Sequence, residues 1–187
     1  MNHQNIWQGE RVRLRAVESE DWKIFNQWDL DSDMARECYW VPFPKSQEAA
    51  RKSTLDSSLE VPKGDNFNFV IENMEGECVG SINTHNCDPR NGVFKYGLAI
   101  RREHQRQGYA FDAIRLVLRY FFQELRYQKV MVGIYAFNDA SIKLHEKLGF
   151  QHEGRRRRMS FSNGVYHDEI ELGMTAEEFR QLFPQRT

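Results

Sequence analysis

The segment from Arg101 to Ala113, R-R-E-H-Q-R-Q-G-Y-A-F-D-A, gathers the residue types that hold an anion. Its apolar neighbours place it between a strand and a long helix, where unpaired main-chain N–H groups and the helix dipole attract negative charge. Gly108 lets backbone approach a ligand closely, and Ala110 keeps the next contact small. Arg101, Arg102 and Arg106 add cationic side chains, so a pyrophosphate fits this site. Taken alone, the same pattern also describes an ordinary glycine-containing helix entry with solvated arginines. A second segment lies one strand further on: N-D-A-S-I-K-L-H-E-K-L-G-F, Asn138 to Phe150. It offers Ser141 and His145 one helical turn apart, a hydroxyl and an imidazole suited to proton transfer.

Other groups of similar chemistry point elsewhere. Arg155 to Arg158 is a run of four cations, but alternate strand residues face opposite sides, so it forms no continuous basic stripe. It reads as a solvated edge or a patch beside the cofactor, with RNA binding as the minor alternative. His85, His104, His152 and His167 lack the spacing of a metal site, so no metal is expected. There is no G-x-S-x-G elbow and no context for a cysteine nucleophile, which favours direct transfer over a covalent intermediate. His85 and Glu72 sit on central strands, and the sequence does not fix which faces they occupy.

The elements that must position these residues follow from hydrophobic period. Arg11 to Val17 alternates as a half-buried strand. Ser19 is expected to cap a helix carrying Trp22, Phe25 and Trp28, and Ser46 a second helix from Gln47 towards Leu59. Phe67 to Ile71, Cys78 to Asn83 and Gly92 to Ile100 are expected as an antiparallel meander, with turns at Glu75-Gly76 and Asn91-Gly92. Ala110, Ala113, Ile114, Val117, Leu118 and Phe121 share one face of a helix of about 25 Å from Gly108 to Glu124. Lys129 to Tyr135 is a strand. Asn138 caps a shorter helix with Ile142, Leu144 and Leu148 inward, and Gly149 takes its left-handed C-terminal position. Phe150 to Met159 and Asp168 to Met174 close the domain around a turn at Asn163-Gly164. Trp22, Trp28, Tyr39, Trp40 and Phe43 read as core aromatics or as an aromatic wall for a substrate. The alternation of strand and helix requires a mixed α/β fold, read as one domain over residues 1–187.

Composition narrows the function classes. Twenty-six Lys and Arg against 27 Asp and Glu give a net charge of −1, which removes the global positive field of a nucleic-acid or anionic-membrane binder. No apolar run approaches a membrane span, and the polar N-terminus from Met1 to Gly9 shows no leader or lipid anchor. Three cysteines, Cys38, Cys78 and Cys87, without a C-x-x-C spacing fit a reducing cytoplasm.

With both segments in view, the sequence resembles the GNAT superfamily of N-acetyltransferases. Q-x-x-G-x-A before a long helix, then N-x-x-S-I-x-L-H-E-K-L-G-F, is similar to its acyl-CoA and helix-four motifs. The opening R-V-R-L-R and the late G-V-Y-H-D-E are similar to its ribosomal-protein-alanine acetyltransferase branch, the RimJ and RimL type. The resemblance spans about Gly9 to Met174. It implies a central mixed sheet of six to seven strands with an antiparallel N-terminal meander, a splayed parallel pair at the cofactor cleft and helices on both faces.

The resemblance also implies roles for individual residues. Acetyl-CoA is the cosubstrate, its pyrophosphate held by the amides of Arg106, Gln107, Gly108, Tyr109 and Ala110, with Gln105 opening the pattern. The pantetheine arm enters where the strand ending at Ile100 splays from Lys129 to Tyr135, along the edge of Leu98, Ala99 and Ile100. An N–H near Ile100 faces the thioester oxygen. Asn138 and Ser141 face the thiol end. The family often places a tyrosine as the acid that protonates the departing thiolate. Here that position is His145, either acting as a charged imidazole or packing on the cofactor, with Ser141 as the second donor. The implied acceptor is an amine: a protein N-terminus first, then a polyamine, aminoglycoside, amino sugar or amino acid. A non-catalytic acyl-CoA-binding module is the remaining alternative, and this branch often forms homodimers through its sheet edge or late strands.

Overall fold

The computed structural model describes residues 5–38 and 40–184; the N-terminal residues read as free of a leader, as far as Gln4, and Tyr39 lie outside them. In chain order the elements are β1 (Val12–Arg15), α1 (Trp22–Trp28), α2 (Ser32–Cys38), α3 (Gln47–Ser58), β2 (Phe67–Asn73), β3 (Cys78–Asp88) and β4 (Val93–Ile100). There follow α4 (Tyr109–Gln123), β5 (Lys129–Tyr135), α5 (Asp139–Leu148), β6 (Gln151–Ser162), β7 (Val165–Thr175) and α6 (Ala176–Leu182). Hydrogen bonding orders the strands β1-β2-β3-β4-β5-β7-β6 in a seven-stranded mixed sheet. The chain forms two compact units, one of residues up to Asn83 with Gly97–Leu116, the other of Thr84–Tyr96 with residues from Val117 on.

In the first unit β1 runs antiparallel to β2, from Val12↔Asn73 to Arg15↔Val70. Val12, Leu14, Phe69, Val70 and Ile71 bury their side chains there, which is why R-V-R-L-R alternates. The intervening arginines are not idle. Arg15 donates to Asp21 Oδ1 and Oδ2 at 2.9 and 2.8 Å and to Glu72 Oε2 at 2.6 Å, while Arg13 reaches Glu72 Oε1 at 2.5 Å. Such charge-assisted forks hold both carboxylates ionised despite their burial. The expected cap at Ser19 shifts to Glu18: Ser19–Asp21 is a 3₁₀ turn leading into α1, and the Asp21 carboxylate accepts the Glu18 N–H at 2.9 Å. Ser46 does cap α3, accepting the Ala49 N–H at 3.1 Å. Helix α2 was absent from the periodicity. It starts where Asp31 accepts the Met34 N–H at 3.0 Å.

The second unit is built on aromatic stacking and a ladder. Phe94 stacks on Phe121 with centroids 4.0 Å apart and meets Tyr127 edge-on at 5.5 Å. Val93–Lys95 of β4 runs parallel to Lys129–Met131 of β5, a pairing that requires a long crossover, here containing α4. β5 pairs antiparallel with β7 from Lys129↔Thr175 to Tyr135↔Glu169. β6 and β7 form a hairpin turning at Asn163 and Gly164, φ 51° and 79°, as the turn signal predicts. Asn138 Oδ1 caps α5 by accepting the Ser141 N–H at 3.0 Å, and Gly149 ends it at φ 96°, a conformation open to glycine. Helix α6 is closed by a capping box in which Thr175 and Glu178 exchange hydrogen bonds.

Candidate active site

The loop before α4 lies in the first unit. A 3₁₀ turn, Arg102–His104, leads into Gln105, and then the backbone turns left-handed at Arg106 (φ 65°) and again at Gly108 (φ 84°). Left-handed residues interspersed among right-handed ones aim successive N–H groups into one concavity, a nest for anions. No hydrogen bond joins the N–H groups of Arg106 through Ala110 to an acceptor among the described residues, although the first internal bond of the helix, from Asp112 N–H to Gly108 O at 3.1 Å, is in place. Gln105 turns back on the preceding strand and donates to Ile100 O at 3.3 Å, which ties the loop to Leu98–Ile100. The strand is anchored by Arg101 N–H on Val79 O at 2.9 Å. A coenzyme diphosphate fits this donor set.

The structure revises the charge of the loop. Arg101 pairs with Glu103 and donates to Cys78 O, and Arg102 forks onto Asp31 at 3.0 and 3.1 Å. Two of the three arginines expected to face the anion are therefore committed to other partners. Sequence reasoning did not anticipate two further residues at this loop. The Asp112 carboxylate, buried on the first turn of α4, accepts Arg11 N–H at 2.8 Å and Val12 N–H at 3.2 Å. This brings the Arg11 side chain over Gly108, with Nη1 donating to Gln107 O at 3.3 Å. Only an acid on the buried face of an amphipathic helix could have signalled it.

A separate cluster forms in the second unit at the start of α5. His145 is 4% exposed, with its ring stacked on Tyr96 at 5.8 Å and edge-on to Phe150 at 5.0 Å. The periodicity turned Leu144 inward; Leu144 is half-buried and His145 takes the buried place. Its Nδ1 donates to Ser141 O at 2.7 Å and lies 3.5 Å from Ser141 Oγ. A carbonyl only accepts, so Nδ1 carries the hydrogen and Nε2 is left as an acceptor, buried and without a partner among the described residues. Burial lowers the pKa of this ring to about 4, so it is neutral near pH 7 rather than the charged imidazole expected of an acid. Tyr96, whose buried hydroxyl also lacks a partner among the described residues, was not anticipated.

The remaining candidates resolve as follows. Glu72 is locked to Arg13 and Arg15 and takes no proton. His85 is half-buried and held neutral by burial and by the charge of Lys95. Burial pushes the Cys78 thiol up to about 11, the wrong direction for a nucleophile. The arginine run is paired: Arg155 with Asp168, and Arg156 with Glu169 and Glu171, while Arg158 lies over the Tyr166 ring. Trp22 and Trp28 are half-buried, but Trp40 and Phe43 are 66% and 92% exposed and so do not belong to the core. Among the described residues no three of His, Cys, Asp and Glu gather as a metal site, and no helix is long and apolar enough to cross a membrane.

Known proteins are similar to this chain in sequence and in fold. The chain is 43% identical over 173 residues to the SPbeta prophage-derived uncharacterized N-acetyltransferase YokL of Bacillus subtilis, covering 92% of this chain and 94% of that one. It is 27% identical over 161 residues to the spermidine N(1)-acetyltransferase of Escherichia coli K12, covering 86% and 84%. The fold superposes on the crystal structure of spermidine N-acetyltransferase from Vibrio cholerae in complex with CoA and spermine, with a TM-score of 0.73, 22% identity and 90% and 97% coverage. Residues 11–151, which include both the loop before α4 and the α5 cluster, match the acetyltransferase (GNAT) domain. The chain therefore belongs to the GNAT acetyltransferases, enzymes that use acetyl-CoA to acetylate nitrogen.

Proposed function

We propose that the chain acetylates a small polycationic amine of the polyamine class. The observation that carries this reading is a local charge imbalance. Residues 18–60 hold ten carboxylates (Glu18, Glu20, Asp21, Asp29, Asp31, Asp33, Glu37, Glu48, Asp56, Glu60) against five cations (Lys23, Arg36, Lys45, Arg51, Lys52), a net of −5 in a chain whose total is −1; Arg15 and Arg102, from outside the segment, neutralise Asp21 and Asp31, and the rest of the imbalance stands. This segment contains α1 to α3, the region that covers the acceptor in the family the sequence resembles. A polyamine is multiply protonated near neutral pH, so it is drawn to this region, whereas an apolar amine is not. The spermidine-acetylating relative supports the same acceptor class. The opening R-V-R-L-R and the late G-V-Y-H-D-E favour a second reading, acetylation of a protein N-terminus as in the RimJ and RimL branch.

Bound acetyl-CoA supplies an acetyl group activated as a thioester. The N–H groups of Arg106 to Ala110 hold its diphosphate, and Leu98 to Ile100 present a strand edge to its peptide-like arm. The amine must arrive neutral, and its nitrogen bonds to the acetyl carbon as the carbon–sulfur bond breaks. Ser141, a hydroxyl that both donates and accepts, gives its proton to the departing sulfur and takes up the proton that the nitrogen sheds as the amide forms. His145 acts through it: the Nδ1–H bond to the Ser141 carbonyl fixes the first turn of α5 on which the hydroxyl sits. It is a positioning residue, and kcat should show no ionisation belonging to an imidazole of ordinary pKa.

The test is thiol release from acetyl-CoA over a panel of spermidine, spermine and peptides with free N-termini. Turnover of the polyamines with peptides inert is the expected outcome. Turnover of peptides with polyamines inert would replace this reading by the second.

A further inference from the structure

We propose that Arg11 is a phosphate-binding residue for the coenzyme, reaching the anion loop from the start of β1. The inference deepens the functional reading above and rests on it. Three observations converge. Asp112 fixes the backbone of Arg11 to the first turn of α4 through the 2.8 Å bond to its N–H. The side chain then runs over Gly108, where Cδ and Nε lie 3.2 Å from the position a Cβ would occupy, and Nη1 donates to Gln107 O. A guanidinium therefore sits against the nest whose N–H groups, Arg106 to Ala110, have no acceptor among the described residues.

Charge argues the same way. Arg101 is paired with Glu103 and Arg102 with Asp31, so the loop's own cations are largely satisfied. Arg11 has no carboxylate partner for its side chain among the described residues; its one side-chain bond goes to a neutral carbonyl. Nε and Nη2 remain to donate, and a planar fork of this kind matches phosphate oxygens. Gly108 contributes in a second way: at φ 84° and without a side chain, it leaves room for the Arg11 side chain against the loop.

The experiment is calorimetric titration of free CoA into the wild type, Arg11→Met and Arg11→Lys, at salt concentrations from about 0.05 to about 0.5 M. Methionine keeps an unbranched stem over Gly108 and removes the donors. The expected result is roughly tenfold to hundredfold weaker CoA binding in Arg11→Met, with a flatter dependence of Kd on salt, and partial recovery of affinity and slope in Arg11→Lys. Equal affinity in wild type and Arg11→Met overturns the proposal while leaving the acetyltransferase reading intact. So does weaker binding with an unchanged salt slope and no recovery by lysine, the result of a purely structural role. Absence of CoA binding in the wild type overturns both. Matching melting temperatures for the three proteins show that each is folded.

Discussion

His145 is a titratable group whose cost of charging is set by its surroundings. With Tyr96 stacked on it and Phe150 edge-on, the ring keeps its proton count at one down to about pH 4, whereas in the unfolded chain it charges near 6.5. Between these values the unfolded state binds the extra proton, so stability falls as pH drops through that window. The difference is at most about 3 kcal/mol. Urea midpoints followed from pH 7 to pH 4 should show this loss in the wild type and a shallower one in His145→Phe, which keeps an aromatic ring. An equal slope in both would place the titration elsewhere. Ser141 gives a second test. Ser141→Ala should lower kcat by roughly a hundredfold or more with CoA affinity unchanged, the range of a lost proton relay. A fall in affinity instead would make the hydroxyl a binding group.

At the scale of elements, α4 carries two assignments: its N-terminus presents the free amides, and its first turn fastens β1. The fastening is the Asp112 carboxylate, with both Arg11 and Val12 N–H groups on one oxygen. Asp112→Ala leaves those donors buried without an acceptor and should cost about 2–4 kcal/mol in urea unfolding, and Asp112→Asn less, because its amide oxygen still accepts. If Arg11 is held as described, Asp112→Ala also weakens CoA binding. The long helix, the hairpin turn at Asn163-Gly164 and the caps at Ser46, Asn138 and Gly149 were legible in the sequence because each depends on residues within a turn or two of itself. Helices α2 and α6, seven residues each, lack the large aromatic side chains at helical spacing that marked the equally short α1. The turn into α4 was legible as Q-x-x-G-x-A, with Gly108 left-handed. Arg11 lies about a hundred residues away from it in sequence, so only the fold could join them. The neutrality of His145 was not legible, since burial belongs to the packing around a residue and not to its type.

Over the whole molecule, near-neutrality conceals a separation of charge. Residues 18–60 carry −5, so the remainder carries +4. Arg155 and Arg156, the most conspicuous part of that remainder, are neutralised by Asp168, Glu169 and Glu171 across the β6–β7 hairpin, so the run has little field left for a nucleic-acid backbone. The acidic segment retains several exposed carboxylates, among them Glu48 and Glu60. A field from one exposed region acts on a ligand over about 8 Å at physiological ionic strength and farther at lower salt. Encounter with a polycation should then be steered, and kcat/KM for spermidine should fall as salt rises, with most of the change in KM. For a monoamine such as a peptide N-terminus the same titration should be nearly flat, because a single charge gains little from the field. Replacing Glu48 and Glu60 together by Gln should lower kcat/KM for spermidine at low salt and have little effect at high salt, separating long-range attraction from direct contact. A loss that persists at high salt would make those carboxylates part of the acceptor site itself.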